Sequence, residues 1–305
     1  MKILITGGAG FIGSNIADRY LELGHQVVIL DNLSTGKKNN IHPEAKFYEF
    51  DICDPKIKFV FEIERPDIVN HHAAQIDVRQ SVSDPENDAR INILGTINLL
   101  QHCANYNVKK VVFASTGGAI YGEQDYFPAD ENHPTRPLSP YGITKLTCEK
   151  YLYFYQQSHG LNYTVLRYAN VYGPRQNPHG EAGVVAIFCK KMLDNSQPVI
   201  NGKGTQTRDY VYVGDVVKAS ELALAGGDNQ IYNIGTGIET DVNTIFQKIA
   251  NFMDASIKEI HGPGQPGEQM RSVLDYSLIN KALAWKPTVD LDSGLEKTVD
   301  FFRAG

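Results

Sequence analysis

"ILITGGAGFIGS", residues 3 to 14, decides the fold. A run of apolar β-formers stops at Thr6, and Gly7, Gly10 and Gly13 follow before helical spacing begins in "SNIADRYLELG" (14 to 24). Small residues at those three positions permit a tight turn, let backbone N–H groups approach a pyrophosphate, and allow helix and strand to pack closely. Asp31 closes the next strand pattern, "QVVILD" (26 to 31), eighteen residues beyond Gly13. A carboxylate there accepts hydrogen bonds from both hydroxyls of a ribose and repels a 2'-phosphate, which favours NAD over NADP. Lys37 and Lys38 read as a solvated loop. Asp51 and Ile52, after a third strand, are placed to bracket the adenine, and Ala73, Ala74 and Gln75, after a fourth, to line the other half of the cofactor. Ordinary loop chemistry accounts for each of these equally well.

Outward from that loop, strands are expected at 2–6, 26–30, 46–50, 67–71, 110–115 and 163–168. Between them lie stretches of helical spacing such as "DARINILGTINLLQHCANYN" (88 to 107). The alternation predicts an α/β fold, a Rossmann-type doubly wound parallel sheet with a smaller α/β substrate-binding lobe toward the C-terminus. From 173 to 206 the chain is rich in Gly, Pro, Asn and Gln, and turns are expected to dominate. "VNTIFQKIANFM" (242 to 253) reads as a helix, and the tail from 276 as helix, break at Pro287, helix. "RDYVYVGDVV" (208 to 217) is expected to return to the first lobe. The resulting division is 1–172 for the nucleotide domain, with about 209–236 returning to it, and 173–208 with 237–305 for the substrate lobe.

The chain has 305 residues, a formal charge of -6, 42% hydrophobic and 21% charged residues. That balance gives no global electrostatic reason to bind nucleic acid or an anionic membrane, so any phosphate must be held by local geometry. Cys53, Cys103, Cys148 and Cys189 are scattered without a C-x-x-C pair, which favours four buried thiols over metal or redox chemistry. His71 and His72 end a strand with no third ligand in register, so they read as packing beside the cofactor loop, and no metal is expected. The strand pattern opening at Lys2 leaves no room for a signal peptide, and no apolar run is long enough to span a bilayer. A cytoplasmic enzyme is expected.

"SPYGITK" (139 to 145) places Tyr141 and Lys145 four apart at the start of a helical stretch, hence on one face. A free tyrosine has a pKa of roughly 10, so as a base near neutrality it needs a positive charge nearby, which Lys145 and an oxidised nicotinamide would both supply. Tyr-x-x-x-Lys is common by itself. Joined to the glycine loop in one chain, the pair is poorly explained by chance.

With "TGGAGFIGS", "DNLSTG", "HHAAQ", "YGITK", "LRYANVYGPRQ", "GTQTRDYVYVGDV" and "NIGTG" spread over nearly its whole length, the chain resembles the extended short-chain dehydrogenase/reductase family, and within it the UDP-glucose 4-epimerases. The resemblance implies that Tyr141 takes the proton of the sugar 4-hydroxyl while NAD takes the 4-hydride. The 4-keto sugar then turns over and receives the hydride back on its other face. Lys145 would hold the nicotinamide ribose and lower the tyrosine pKa, and a Ser or Thr hydroxyl would share the proton path. It further implies cofactor contacts from Phe11 and Ile12 in the glycine loop, and from Asn32, Ser34, Thr35 and Gly36 after Asp31. Asn92, Ala114, Ser115 and Tyr168 would complete the set.

"FASTGGAIYGE" (113 to 123) departs from the family pattern. Aligned on Tyr121-Gly122, the hydroxyl residue of many relatives falls on Gly117. Thr116 is the candidate substitute and Ser115 the second, on the expectation that Gly117 and Gly118 relax the strand end and turn Thr116 inward. Related dehydratases and decarboxylases carry acids after this threonine, where this chain has Gly118 and Ala119, so return of the hydride is the expected fate of the keto sugar. On the substrate side the resemblance implies Thr116, Gly117, Asn170, Val184 and Arg208 as contacts to a UDP-hexose. Arg271 is a second phosphate candidate beside a plain surface arginine, and Arg175 a weaker one. Gln265 stands where some relatives have arginine. Ser272 is a small residue at the position that sets pocket size, which would admit UDP-N-acetylhexosamines. A homodimer is implied, built from the helix of about 87–106 and the helix carrying Tyr151, Tyr153, Phe154 and Tyr155, with ordinary core packing as the other reading. Other outcomes on the same scaffold are a further nucleotide-sugar epimerase, a decarboxylase, a net oxidoreductase, or a non-catalytic dinucleotide sensor.

Overall fold

The computed structural model describes residues 1–179, 183–255, 257–264 and 269–304. The first half runs β1 (Lys2–Thr6), α1 (Phe11–Glu22), β2 (Gln26–Asp31), β3 (Lys46–Glu49), α2 (Ile57–Glu64), β4 (Ile68–His71), α3 (Val78–Ser83), α4 (Pro85–Ala89), α5 (Gly95–Asn105) and β5 (Lys110–Thr116). It continues through α6 (Gly117–Ile120), α7 (Pro140–His159), β6 (Asn162–Tyr168), β7 (Asn170–Tyr172), α8 (Val184–Leu193), β8 (Ile200–Asn201), β9 (Thr207–Tyr212), α9 (Val213–Ala223) and β10 (Gln230–Ile234). The remainder is β11 (Glu239–Asp241), α10 (Val242–Phe252), β12 (His261–Gly262), α11 (Ser277–Leu283) and α12 (Leu291–Ala304).

Seven strands form one sheet in the order β10-β6-β5-β4-β1-β2-β3, every pair parallel. Because side chains alternate along a strand, one strand feeds two cores. Ile3 and Ile5 of β1 pack with Ile16 and Tyr20 of α1 and Val216 of α9, while Leu4 packs on the opposite face with Phe61 of α2, Leu99 of α5 and Leu152 of α7. Each aliphatic side chain buried this fully contributes about 1.5–3 kcal/mol, so the sheet is held from both sides. The strand order reverses between β1 and β4, and a crevice opens there beyond their carboxyl ends. The Gly7 loop follows β1 and the His72–Gln75 segment follows β4, so the fold brings these two sequences together.

Where a turn-dominated stretch was expected at 173–206, α8 occupies Val184–Leu193. Its "VVAIFCKKML" buries Val185, Phe188, Cys189 and Met192 against Ile245, Phe246 and Ile249 of α10 and Leu295 of α12, forming a separate core for the smaller lobe. The polar residues around the helix hid it from a window average. The helix expected across 88–107 is also not continuous: a π-helical turn at Arg90–Leu94 separates α4 from α5. A second, three-stranded sheet pairs β7 in parallel with β9, which pairs antiparallel with β11. After β9 the chain returns to the large sheet: Tyr20 of α1 meets Ser220 of α9 at 2.8 Å, and β10 extends the sheet beside β6. The tail is two helices, α11 and α12, on either side of Pro287. Three cysteines are buried but Cys53 is only partly so, its thiol 3.4 Å from the Arg90 carbonyl. Among the described residues no helix is long and apolar enough to cross a membrane.

Candidate active site

Backbone shape at the crevice depends on missing side chains. Gly7 has φ +69°, and a Cβ on it would lie 2.7 Å from the Ala73 nitrogen. A Cβ on Gly13 would collide with the Gly7 carbonyl. Gly8, which the sequence reading passed over, lies so close to β2 that a Cβ would stand 2.8 Å from the Ile29 side chain. α1 begins after Gly10 with no side-chain cap and no acid in its first turn. Its first N–H groups are therefore left without a side-chain acceptor from the helix itself, a cradle that fits a dinucleotide pyrophosphate.

At the neighbouring end of β2 the Asp31 carboxylate is 7% exposed. It accepts from Ala9 N–H at 3.0 Å and Leu33 N–H at 2.8 Å, one on each oxygen, leaving lone pairs for two further donors. Burial raises its pKa, and the two N–H groups oppose that rise. A Cβ on Gly36 would lie 2.9 Å from Asp31 Oδ1, so the "LSTG" loop closes over the carboxylate only because glycine stands there. Asn32 donates to Asp51 at 2.8 Å, and Cys53 N–H does so at 2.8 Å. Burial raises the Asp51 pKa, but these two bonds outweigh it and hold the carboxyl low. Asp31, Asn32, Ser34, Thr35, Asp51 and Ile52 border one side of a cavity of about 520 Å³, and Phe11, Ala73, Ala74 and Gln75 border another.

The cavity wall after β4 is fixed from behind. Asn92, in the π-helical turn, accepts from Gln75 N–H at 2.9 Å and donates to the Gln75 carbonyl at 3.0 Å, to Asp88 at 3.1 Å and to Thr144 at 3.2 Å. Its side chain thus shapes the Ala73–Gln75 segment and ties it to α7. His71 spends both ring nitrogens on Thr6 at 2.7 Å and Thr96 at 3.0 Å. His72 meets Tyr168 Oη at 3.2 Å, with burial pushing the imidazole pKa down to about 3, and Tyr168 is buried in the core that includes Ile16 and Tyr20 of α1. Among the described residues no cluster of three or more His, Cys, Asp or Glu could hold a metal ion.

α7 starts where Ser139 accepts from Gly142 N–H at 3.2 Å, with Pro140 preset in the first turn. Tyr141 follows, half-buried, and Lys145 lies one turn on, 4% exposed. Lys145 Nζ donates to the Ala114 carbonyl at 2.9 Å and sits 4.8 Å above the Phe113 ring. Burial pushes its pKa down to about 8, against the pull of Cys148, Asp88 and Glu149.

β5 stays regular through Thr116, which has φ -134° and ψ 115° and stands opposite Tyr168. Strand alternation alone therefore sends Ser115 and Thr116 to opposite faces, and the expected relaxation at the glycines is absent. Ser115 donates to buried Glu149 at 2.7 Å, so its hydroxyl is engaged away from the crevice. A Cβ on Gly118 would have Asn170 Oδ1 at 3.7 Å and Thr116 Oγ1 at 3.8 Å, so these two side chains flank the same backbone. A side chain on Gly117 would run into Leu274, and the four-residue α6 takes up the glycine pair.

In the smaller lobe, Asn170 opens β7 opposite Tyr210 of β9, two residues beyond Arg208. Arg208 Nη1 donates to the Thr207 carbonyl at 2.8 Å. Val184 opens α8. Arg271 is held at Glu239 by two bonds of 2.5 and 3.0 Å and covers the Phe127 ring at 3.6 Å, so a phosphate would compete with a carboxylate already in place. Ser272 is 2% exposed, part of a segment whose next residue donates to Gln124 at 3.2 Å. Gln265 lies outside the described residues. Sequence reasoning missed Gln176, Asn177 and His179, which border the cavity opposite Asp31, and the buried pair Glu149–Arg167. A charged residue within "YTVLRY" was the available signal for that pair.

The sequence model of the NAD dependent epimerase/dehydratase family matches residues 3–235. The chain belongs to that family. NAD is accordingly its cofactor, and the glycine cradle and the Asp31 carboxylate are of a kind that fits it. The chain is 48% identical to the UDP-glucose 4-epimerase of Thermotoga maritima, solved with UDP-glucose, over 100% of this chain and 99% of that one at a TM-score of 0.98. It is 44% identical to the Thermus thermophilus UDP-glucose 4-epimerase solved with NAD, over 99% of both chains at a TM-score of 0.95. A UDP-N-acetylglucosamine 4-epimerase from Methanobrevibacter ruminantium, solved with UDP-N-acetylmuramic acid, is 35% identical over 99% of this chain and 98% of that one, at a TM-score of 0.94.

Proposed function

We propose that this chain is an isomerase that interconverts UDP-glucose and UDP-galactose at the sugar C4. The observation that carries the reading is Tyr141 and Lys145 one turn apart on α7, Lys145 bonded to the Ala114 carbonyl two residues before Thr116, with glycine and alanine where an eliminating acid would have to stand. Bound NAD supplies the acceptor, and then the donor, of the C4 hydride. Tyr141 Oη takes the 4-hydroxyl proton and returns it to the same oxygen after the keto sugar has presented its other face. Lys145 Nζ supplies the positive charge that lets the phenol ionise, and its lowered pKa marks how little solvent shares that charge. Thr116 Oγ1 bridges the sugar oxygen and Tyr141, while Asn170, Val184 and Arg208 orient the UDP-hexose. The division into a nucleotide domain of 1–172 with about 209–236, and a substrate lobe from the rest, is the same proposal stated for the chain. Purified protein given UDP-galactose should form UDP-glucose with no lasting NADH; steady NADH accumulation would make it a net oxidoreductase.

A second substrate class is favoured by the small side chain of Ser272 and by the similarity to a UDP-N-acetylglucosamine epimerase. Turnover of UDP-N-acetylglucosamine within about tenfold of UDP-glucose is expected, since pocket size alone discriminates by roughly 10–200-fold. The homodimer reading rests on Leu94, Ile143, Tyr153 and Phe154, each more than half exposed on the π-helical turn and the outer side of α7. Sedimentation should give a dimer, and Phe154→Glu a monomer.

A further inference from the structure

The segment 173–177 leaves the smaller lobe and reaches α1. Its start is fixed by Gly173 at φ +145°, and Arg175 holds the left-handed value of φ +71°. Arg175 pairs with Asp18 of α1 at 2.6 Å, and Asn15 of α1 donates to the Pro174 carbonyl at 3.2 Å. A non-glycine residue in that conformation costs about 1–3 kcal/mol, so the segment is held there by its contacts. The next residue, Gln176, is 9% exposed and borders the same cavity as Asp31, Asn32 and Asp51. Its amide nitrogen donates to the Val171 carbonyl at 3.0 Å, which fixes the amide orientation because a carbonyl can only accept and so cannot pair with the amide oxygen. Gly183 fits beside that nitrogen only because it lacks a Cβ. The amide oxygen, Oε1, is buried and has no partner among the described residues.

A buried amide acceptor left empty is costly, and such atoms in native structures nearly always find a donor. We propose that Gln176 is a cofactor-binding residue, its Oε1 accepting from a hydroxyl or amino group of the bound dinucleotide. An acceptor oxygen repels phosphate oxygens, so the contact is to a neutral part of NAD and not to its diphosphate. Arg175 and Asp18 act as positioning residues that hold Gln176 against α1. A segment entering the substrate lobe would thus wall the nucleotide site. The inference rests on the cofactor assignment and not on the identity of the sugar.

Titration of NAD into cofactor-stripped protein without any sugar tests it. Gln176→Leu keeps the size and removes the acceptor; the Kd for NAD should rise about threefold to tenfold, the loss of one hydrogen bond. Asp18→Asn should raise it less, in the same direction. The cofactor-free Tm of Gln176→Leu should fall somewhat, because the bond to the Val171 carbonyl is lost as well, and the increase in Tm on adding NAD should also shrink. A Kd for NAD within twofold of the parent would overturn the proposal. So would a fall in cofactor-free Tm with an unchanged increment on NAD addition, which would make Gln176 a packing residue.

Discussion

One turn apart on α7, Lys145 and Glu149 are both buried charges, and they are treated in opposite ways. Glu149 is matched: Arg167 grips it with bonds of 3.0 and 2.6 Å, Ser115 adds a third at 2.7 Å, and Tyr121 accepts from the guanidinium at 2.9 Å. Burial opposes the Arg167 charge, yet Glu149 and Tyr121 outweigh it and raise its pKa. Lys145 has one carbonyl, an aromatic face and no bonded carboxylate, and its pKa falls to about 8. Full pairing holds β5, β6 and α7 together, whereas incomplete pairing leaves a positive charge available to a neighbouring phenol.

The contrast can be broken at either end. The largest effect is expected at the chemical end: Tyr141→Phe should lower kcat by about 10²–10⁴, the range of acid–base catalysis. At the matched end, Glu149→Leu leaves Arg167 buried without its carboxylate and should cost about 3–5 kcal/mol of unfolding free energy, read by urea denaturation. Lys145→Met should remove turnover yet make the cofactor-free protein more stable at neutral pH.

The pH dependence of stability sharpens the same point. The folded-state pKa of Lys145, about 8, lies below its ordinary 10.5. Between those values the unfolded chain keeps a proton that the folded chain has lost, so this group's contribution rises with pH across that window. Cofactor-free protein should gain stability there relative to Lys145→Met. A flat difference between the two would mean Lys145 is solvated. The smallest effects separate the two hydroxyls at the end of β5. Thr116→Val should lower kcat about tenfold or more, whereas Ser115→Ala should leave kcat nearly unchanged and cost about 1–3 kcal/mol of stability, because it touches only Glu149.

Most of the sheet was legible because short continuous apolar runs, buried on both faces, are a local signal, and the glycine loop because only missing side chains allow its close approaches to Ala73 and Ile29. α8 was not, since its apolar residues sit among polar turns and show only against α10. The role of Asn92 was hidden too: its partner Gln75 comes from another element, and the π-helical turn that aims it leaves no mark in spacing. Ser115 and Thr116 were told apart only once Glu149 was seen beneath the strand. Arg271 reads from the sequence as a phosphate candidate or a plain surface arginine, and the sequence held no sign of Glu239 bound to it.

The central claim is that the hydride leaving C4 returns to C4 inside the same closed site. UDP-glucose carrying deuterium at C4 should give UDP-galactose that keeps the deuterium at C4, with none appearing in solvent and no net NADH. Product with hydrogen at C4, or deuterium lost to water, would contradict the account.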